Sequence, residues 1–135
     1  MLLPRITPII AVWWQEPYGN PLDGFLKFLH GLNIPSKETI ILPAHDRPYK
    51  GLSTRITDLI QHHQNRLEIT FNACNEPVTA SSIMKKLFKR DLDAFQIRFA
   101  IGETIAHINY LLRKGEVTRD LSPDQQYLYQ NTASK

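Results

Sequence analysis

The stretch Ile40-Ile41-Leu42-Pro43-Ala44-His45-Asp46-Arg47-Pro48-Tyr49-Lys50-Gly51 decides how this chain reads. An apolar, β-prone run ends in Pro-Ala-His. A basic turn containing Pro48 then leads into a long helical periodicity. The pattern predicts a short buried strand over Thr39–Pro43 that delivers His45 at its C-terminal end. It also places a boundary at the turn, with residues 1–51 as part of an α/β layer, residues 52–119 as a small helical unit, and a polar, loose tail over 120–135.

Upstream of that stretch, Ile6, Ile9, Ile10, Val12, Trp13 and Trp14 make a dense apolar segment broken by Pro4 and Pro8. Proline excludes a central strand across its own position, so the expectation is an extended piece with a short strand at Ile9–Trp14. Its apolarity requires that it pack on the rest of the chain or against another surface. Asn20 then caps a helix with Pro21 at its first position, and Leu22, Phe25, Leu26, Phe28 and Leu29 recur at helical spacing up to a stop at Gly31. A loop around Pro35 follows.

Downstream, Ser53 reads as a helix cap. Ile56, Leu59, Ile60, His63 and Leu67 follow one face of a helix over about Thr54–Cys74. Asn75-Glu76-Pro77 ends it, and Thr79 caps a short helix, Ala80–Phe88. A third helix over about Asp93–Lys114 turns Phe95, Phe99, Ile105, Ile108 and Leu111 inward and ends at Gly115 in a left-handed cap. Glu116–Arg119 is a short strand or wing. Helix, short helix, long helix and strand is the order of a winged-helix unit, whose second and third helices form a helix-turn-helix pair. The fold class is therefore α+β and mostly helical.

The chain has 135 residues, 42% hydrophobic and 21% charged, with a formal net charge of +3. That is a globular composition, and mild basicity permits nucleic-acid contact without arguing for it. One cysteine, Cys74, excludes an intrachain disulfide, fits a reducing cytoplasm, and reads as a buried structural thiol. No apolar run reaches the roughly 20 residues needed to span a bilayer, and the start lacks the charged n-region of a signal peptide.

Leu42-Pro43-Ala44-His45 with Pro48 and Gly51, then Arg55-Ile56, His62-His63, Arg66-Leu67, Thr79-Ala80, Leu87-Phe88, Phe99-Ala100, Glu103, Ala106-His107, Leu111 and Gly115-Glu116-Val117, follow one another in an order that resembles the C-terminal part of a metallo-β-lactamase-fold hydrolase. The resemblance is to the subgroup that ends in a winged-helix domain. Leu3-Pro4-Arg5-Ile6-Thr7-Pro8 is similar to the stretch after that family's Gly-Asp metal-ligand dipeptide, so the likeness covers about residues 1–119.

The resemblance implies a two-zinc site built from a His-x-His-x-Asp-His cluster, a further His, an Asp and a final His. Only the final His has a counterpart here, His45, and the chain contains no His-x-His. The glycines that usually flank it are Ala44 and Asp46. The implied protein is a truncated family member, inactive alone, with His45 as a relict ligand position and no cofactor of its own. Zinc belongs to complete members. A hydrolase subunit completed by another polypeptide is the other reading of that kind.

His62 and His63 are adjacent and point about 100° apart on a helix, so they do not chelate together. His63 reads as a core histidine. Glu103 and His107, at i and i+4, read as a structural polar pair, with an acid–base pair as the functional alternative. Lys85, Lys86, Lys89, Arg90 and Arg98 form a basic cluster, diluted by Asp91 and Asp93, that could contact phosphates. A second class of function follows, a winged-helix binding module for nucleic acid or a protein partner. The apolar residues 1–50 predict a homo-oligomer, a dimer through that segment.

Overall fold

Asp93 opens the element around which the others pack. Its Oδ1 accepts a hydrogen bond from the Gln96 N–H at 2.8 Å, and Gln96 Oε1 accepts from the Asp93 N–H at 3.4 Å, a reciprocal capping box. In this computed structural model, which describes residues 2–34 and 36–134, the helix so started is the last of four: α1 Pro21–Gly31, α2 Leu52–Ala73, α3 Ala80–Leu87 and α4 Ala94–Lys114. Pro35, on which the expected loop was centred, lies outside the described residues. Strands β1 Val117–Leu121 and β2 Tyr127–Asn131 form an antiparallel hairpin in which Val117 faces Asn131 and Leu121 faces Tyr127. The protein is mostly helical with one small two-stranded sheet.

The helical periodicities are borne out within a residue or two. Thr79 caps α3, its Oγ1 accepting from the Ser82 N–H at 3.3 Å. Gly115 closes α4 at φ 72°, donating to the carbonyls of Leu111 and Leu112. Two boundaries differ from expectation. Ser53 does not cap α2: it lies inside the helix, and Gly51 holds the cap position at φ 79°, a left-handed conformation open to glycine. Gly31 does not stop α1, which runs through it to an extended Leu32.

Three larger corrections concern strands. Thr39–Pro43 forms no buried strand. Its one ladder contact is an isolated bridge between Ile41 and Tyr49, and Ile40 and Leu42 are 59% and 78% exposed. The physical reason is that the one sheet among the described residues, β1–β2, lies elsewhere and offers no edge to it. Ile9–Trp14 also stays outside any sheet. It is extended, and the Val12 N–H donates to the Gly102 carbonyl at 3.0 Å, so it is held by a helix. Residues 120–134 are not a loose tail. They turn at Ser122–Gln125 and return as β2, where Tyr129 exchanges both backbone hydrogen bonds with Val78 and the Asn131 N–H donates to the Cys74 carbonyl at 2.7 Å.

Two apolar clusters result. Ala73, Cys74, Ile83, Ile108, Leu111, Val117 and Tyr129 join α2, α3, α4 and the hairpin. Leu29, Ile56 and Leu59 join α1 to α2. Phe95, expected inward, is 67% exposed, because the first turn of α4 projects beyond the helices it packs on. Cys74 is fully buried, and burial pushes its thiol up to about 11, which suits a structural role.

Candidate functional site

His45 sits in an exposed turn, followed by Asp46. Asp46 adopts φ 73°, a left-handed conformation that glycine takes freely and aspartate tolerates better than most residues. Its Oδ1 accepts from the Arg47 N–H at 2.7 Å, which fixes the turn locally. Among the described residues, no three His, Cys, Asp or Glu side chains come together in a way that could hold a metal ion. A zinc pair of the kind the resemblance implies therefore does not fit the donors that this chain brings to His45.

The histidines that do converge lie between α2 and α4. His107 Nδ1 is 2.7 Å from the Glu103 backbone carbonyl, and because a carbonyl only accepts, Nδ1 carries the proton. His107 Nε2 is then an acceptor, and it lies 3.2 Å from His63 Nδ1, which must donate. His63 Nε2, at the end of this hydrogen-bond chain, is a buried acceptor with no hydrogen-bond partner among the described residues. Both rings are fully buried, and the Phe25 ring closes over His63 edge-on at 5.6 Å. Burial, reinforced for His63 by His107, lowers His63 to about 3, and burial lowers His107 to about 4, so both are neutral near pH 7.

Arg66 borders this pair. Its Nε donates to His62 Nε2 at 3.1 Å, its Nη1 lies 3.4 Å from Glu103 Oε1, and its guanidinium stacks 4.5 Å from the Phe88 ring centre. Burial pushes the Glu103 carboxyl up, and the Arg66 charge pulls it back. Glu103 and His107 therefore meet through a main-chain carbonyl, while the Glu103 carboxylate faces Arg66. Their helical spacing was visible in the sequence. Arg66 and the contact between His63 and His107 were not, because those partners lie on different helices. The spacing His62–Arg66 at i, i+4 was the one local signal. The two neutral, enclosed rings join α2 to α4, while Arg66 and Glu103 beside them keep a small exposure of 18% and 12%.

The basic residues are all exposed: Lys85 and Lys86 in the last turn of α3, Lys89 and Arg90 in the link, and Arg98 in α4. Arg90 borders a groove with Ile9, Phe88, Phe95, Phe99 and Glu103, whereas Arg98 lines a depression with Trp13, Trp14, Ile101 and Ile105. No helix among the described residues is long and apolar enough to cross a membrane.

The comparison with curated proteins finds no match. Among solved structures, a beta-lactamase domain protein from Burkholderia ambifaria is similar at a TM-score of 0.92 and 38% identity, over 97% of this chain and 39% of that one. A metallo-beta-lactamase family protein from Thermus thermophilus is similar at a TM-score of 0.74 and 32% identity, over 96% of this chain and 39% of that one. The chain thus spans about two fifths of the length of these structures. Residues 67–132, from the second half of α2 through the hairpin, match the family described as "Metallo-beta-lactamase-like, C-terminal domain".

Proposed function

We propose that this chain supplies the C-terminal, helical portion of a metallo-β-lactamase-fold hydrolase and does not hydrolyse substrates alone. One observation carries this reading: nearly the whole chain superposes on 39% of a beta-lactamase domain protein. Of the ligand positions that the resemblance implies, the chain has a counterpart for one, His45. Hydrolysis by such a fold uses metal-activated water on an ester, thioester, amide or phosphodiester, and the other ligands would have to come from outside these 135 residues. A reducing cytoplasm suits the single buried thiol. Metal analysis of the purified protein tests the reading. Substoichiometric, readily dialysed zinc and no turnover are expected. Tightly bound stoichiometric zinc with turnover that His45→Ala abolishes would overturn it.

A second reading is a winged-helix module that contacts nucleic acid, favoured by the order α2, α3, α4 and hairpin and by the exposed Lys85, Lys86, Lys89 and Arg90. The exposed Phe95 and Ile97 in the first turn of α4 weaken it, since base readout from there needs polar side chains. Fluorescence anisotropy with duplex DNA and with RNA at low and moderate salt decides. Phosphate contacts bind most tightly at low salt, so no binding there removes this reading.

A further inference from the structure

Tyr18 is pinned beside the hairpin. Asn109, only 5% exposed, donates to the carbonyls of Pro17 and Gly19 on either side of it, at 2.9 and 2.8 Å. Arg113 Nη2 donates to the Tyr18 carbonyl at 3.4 Å, and the Tyr18 hydroxyl meets that of Tyr127 on β2 at 3.5 Å. The Arg119 guanidinium of β1 lies over both rings, 5.0 Å from the centre of Tyr18 and 4.6 Å from that of Tyr127. Stacking occupies the face of a guanidinium and leaves its N–H edge unspent. Among the described residues, the Arg119 guanidinium donates to no acceptor, and the ion pairs involve neither Arg113 nor Arg119.

Both arginines border an open depression of about 410 Å³, lined by Tyr18, Asn109, Leu112, Arg113 and Arg119. None of these is acidic. Asp120, next in β1, alternates to the other face of the hairpin, so its carboxylate does not offset Arg119. Two uncompensated guanidiniums at one concavity repel each other, and an oxyanion between them is attracted by both. The planar fork of arginine matches the spacing of phosphate oxygens. A concavity of this size is that of a small-molecule site. Every wall of it comes from these 135 residues, so nothing from outside them is needed to form it.

We propose that the depression between the end of α4 and the hairpin binds a phosphate group, with the Arg119 fork on two of its oxygens and Arg113 supplying the second charge. The two tyrosines hold Arg119 in place, and Asn109 holds Tyr18. A phosphorylated small molecule and the backbone of a single-stranded nucleic acid present the same group. The enclosed shape favours the small molecule.

Titration of the full chain with pyrophosphate at low salt, followed by backbone amide shifts against a chloride blank of matched ionic strength, tests this. Arg119→Gln, Arg119→Lys, Arg113→Gln and Lys86→Gln are measured alongside. All three positions are exposed, so the variants keep the fold, which circular dichroism checks. Saturable shifts at the amides of Arg113, Arg119 and Tyr127 are expected in the parent. Binding at least tenfold weaker is expected for Arg119→Gln and Arg113→Gln, the latter with the tyrosine stack intact. Arg119→Lys keeps the charge, loses the fork and is expected to weaken binding severalfold, while Lys86→Gln binds as the parent does. A single-stranded oligonucleotide that displaces pyrophosphate identifies nucleic acid as the source of the phosphate, and one that does not leaves the small molecule. No shift beyond the chloride blank, equal binding by the parent and Arg119→Gln, or an equal loss in Lys86→Gln would overturn the proposal.

Discussion

Nδ1 of His63 lies 3.2 Å from Nε2 of His107, with both rings sealed from solvent between α2 and α4. The pair is held neutral, because burial lowers the basicity of each ring. An unfolded chain restores both to the ordinary value near 6.5. The unfolded state therefore binds protons that the native state refuses, and stability is intact above about pH 6.5 and falls as pH drops from there toward 4. The raised Glu103 carboxyl acts in the opposite sense and offsets part of the loss, while Arg66 and the lowered His62 add to the cost of placing charge there. At about pH 5 each buried histidine costs about 2 kcal/mol. Urea unfolding at about pH 7.5 and pH 5 measures this, and equal midpoints would show that the rings are charged or accessible.

The same contact predicts strong non-additivity. His107→Leu leaves the His63 Nδ1–H buried without an acceptor, at a cost of about 2–3 kcal/mol. His63→Leu removes that donor but leaves His107 Nε2 unpaired, at a similar cost. The double variant removes both ends of the bond and replaces them with apolar groups, so it should cost less than the sum by 1 kcal/mol or more. A double-mutant cycle in urea at neutral pH gives the coupling directly, and additive effects would remove the interhelical bond from the account.

Gly102 is where the N-terminal segment crosses α4. A Cβ built there would lie 2.7 Å from the Val12 carbonyl oxygen, a backbone atom that moves only if the segment moves. Seven residues on, on the same helix face, Asn109 Nδ2 donates to the carbonyls of Pro17 and Gly19 at 2.9 and 2.8 Å. Gly102→Ala should cost about 1–3 kcal/mol and loosen residues 11–14 while Asn109 still holds 17–19. Faster exchange of the Val12 amide and a shift in tryptophan emission from Trp13, which packs edge-on against Phe99, are the expected signs. Unchanged exchange at Val12 would mean that the segment is held elsewhere.

What the sequence disclosed and what it hid follow the range of the forces involved. α2, α3 and α4 were legible because apolar spacing, Thr79 and Gly115 act within a turn or two of helix. The extended run at Thr39–Pro43 had strand composition, yet a strand needs a partner edge, and composition does not say whether one is near. The hairpin was hidden by polarity. Only the turn residues Ser122-Pro123-Asp124 and the alternation of Tyr127, Tyr129 and Asn131 marked it. At the candidate site, the Glu103–His107 spacing was local and visible. The ring that seats against His107 comes from His63, 44 positions away on another helix, and the burial that keeps His107 neutral exists only once those helices pack.

The hairpin is predicted to be a structural necessity for the helices. Tyr129 is 6% exposed and packs with Cys74, Ile83 and Ile108, while its backbone pairs with Val78 just before α3. β2 therefore ties the end of the chain to the α2–α3 link as well as to β1. Tyr129→Ala removes a buried aromatic ring and should cost about 3–5 kcal/mol. Tyr127, on the same face but at the outer end of the strand and 45% exposed, contributes a stack with the Arg119 guanidinium at 4.6 Å. Tyr127→Ala should cost about 0.5–1 kcal/mol. Thermal unfolding followed by circular dichroism at 222 nm ranks the two. If both variants melt with the parent, β2 is an appendage, and the core is closed by the four helices alone.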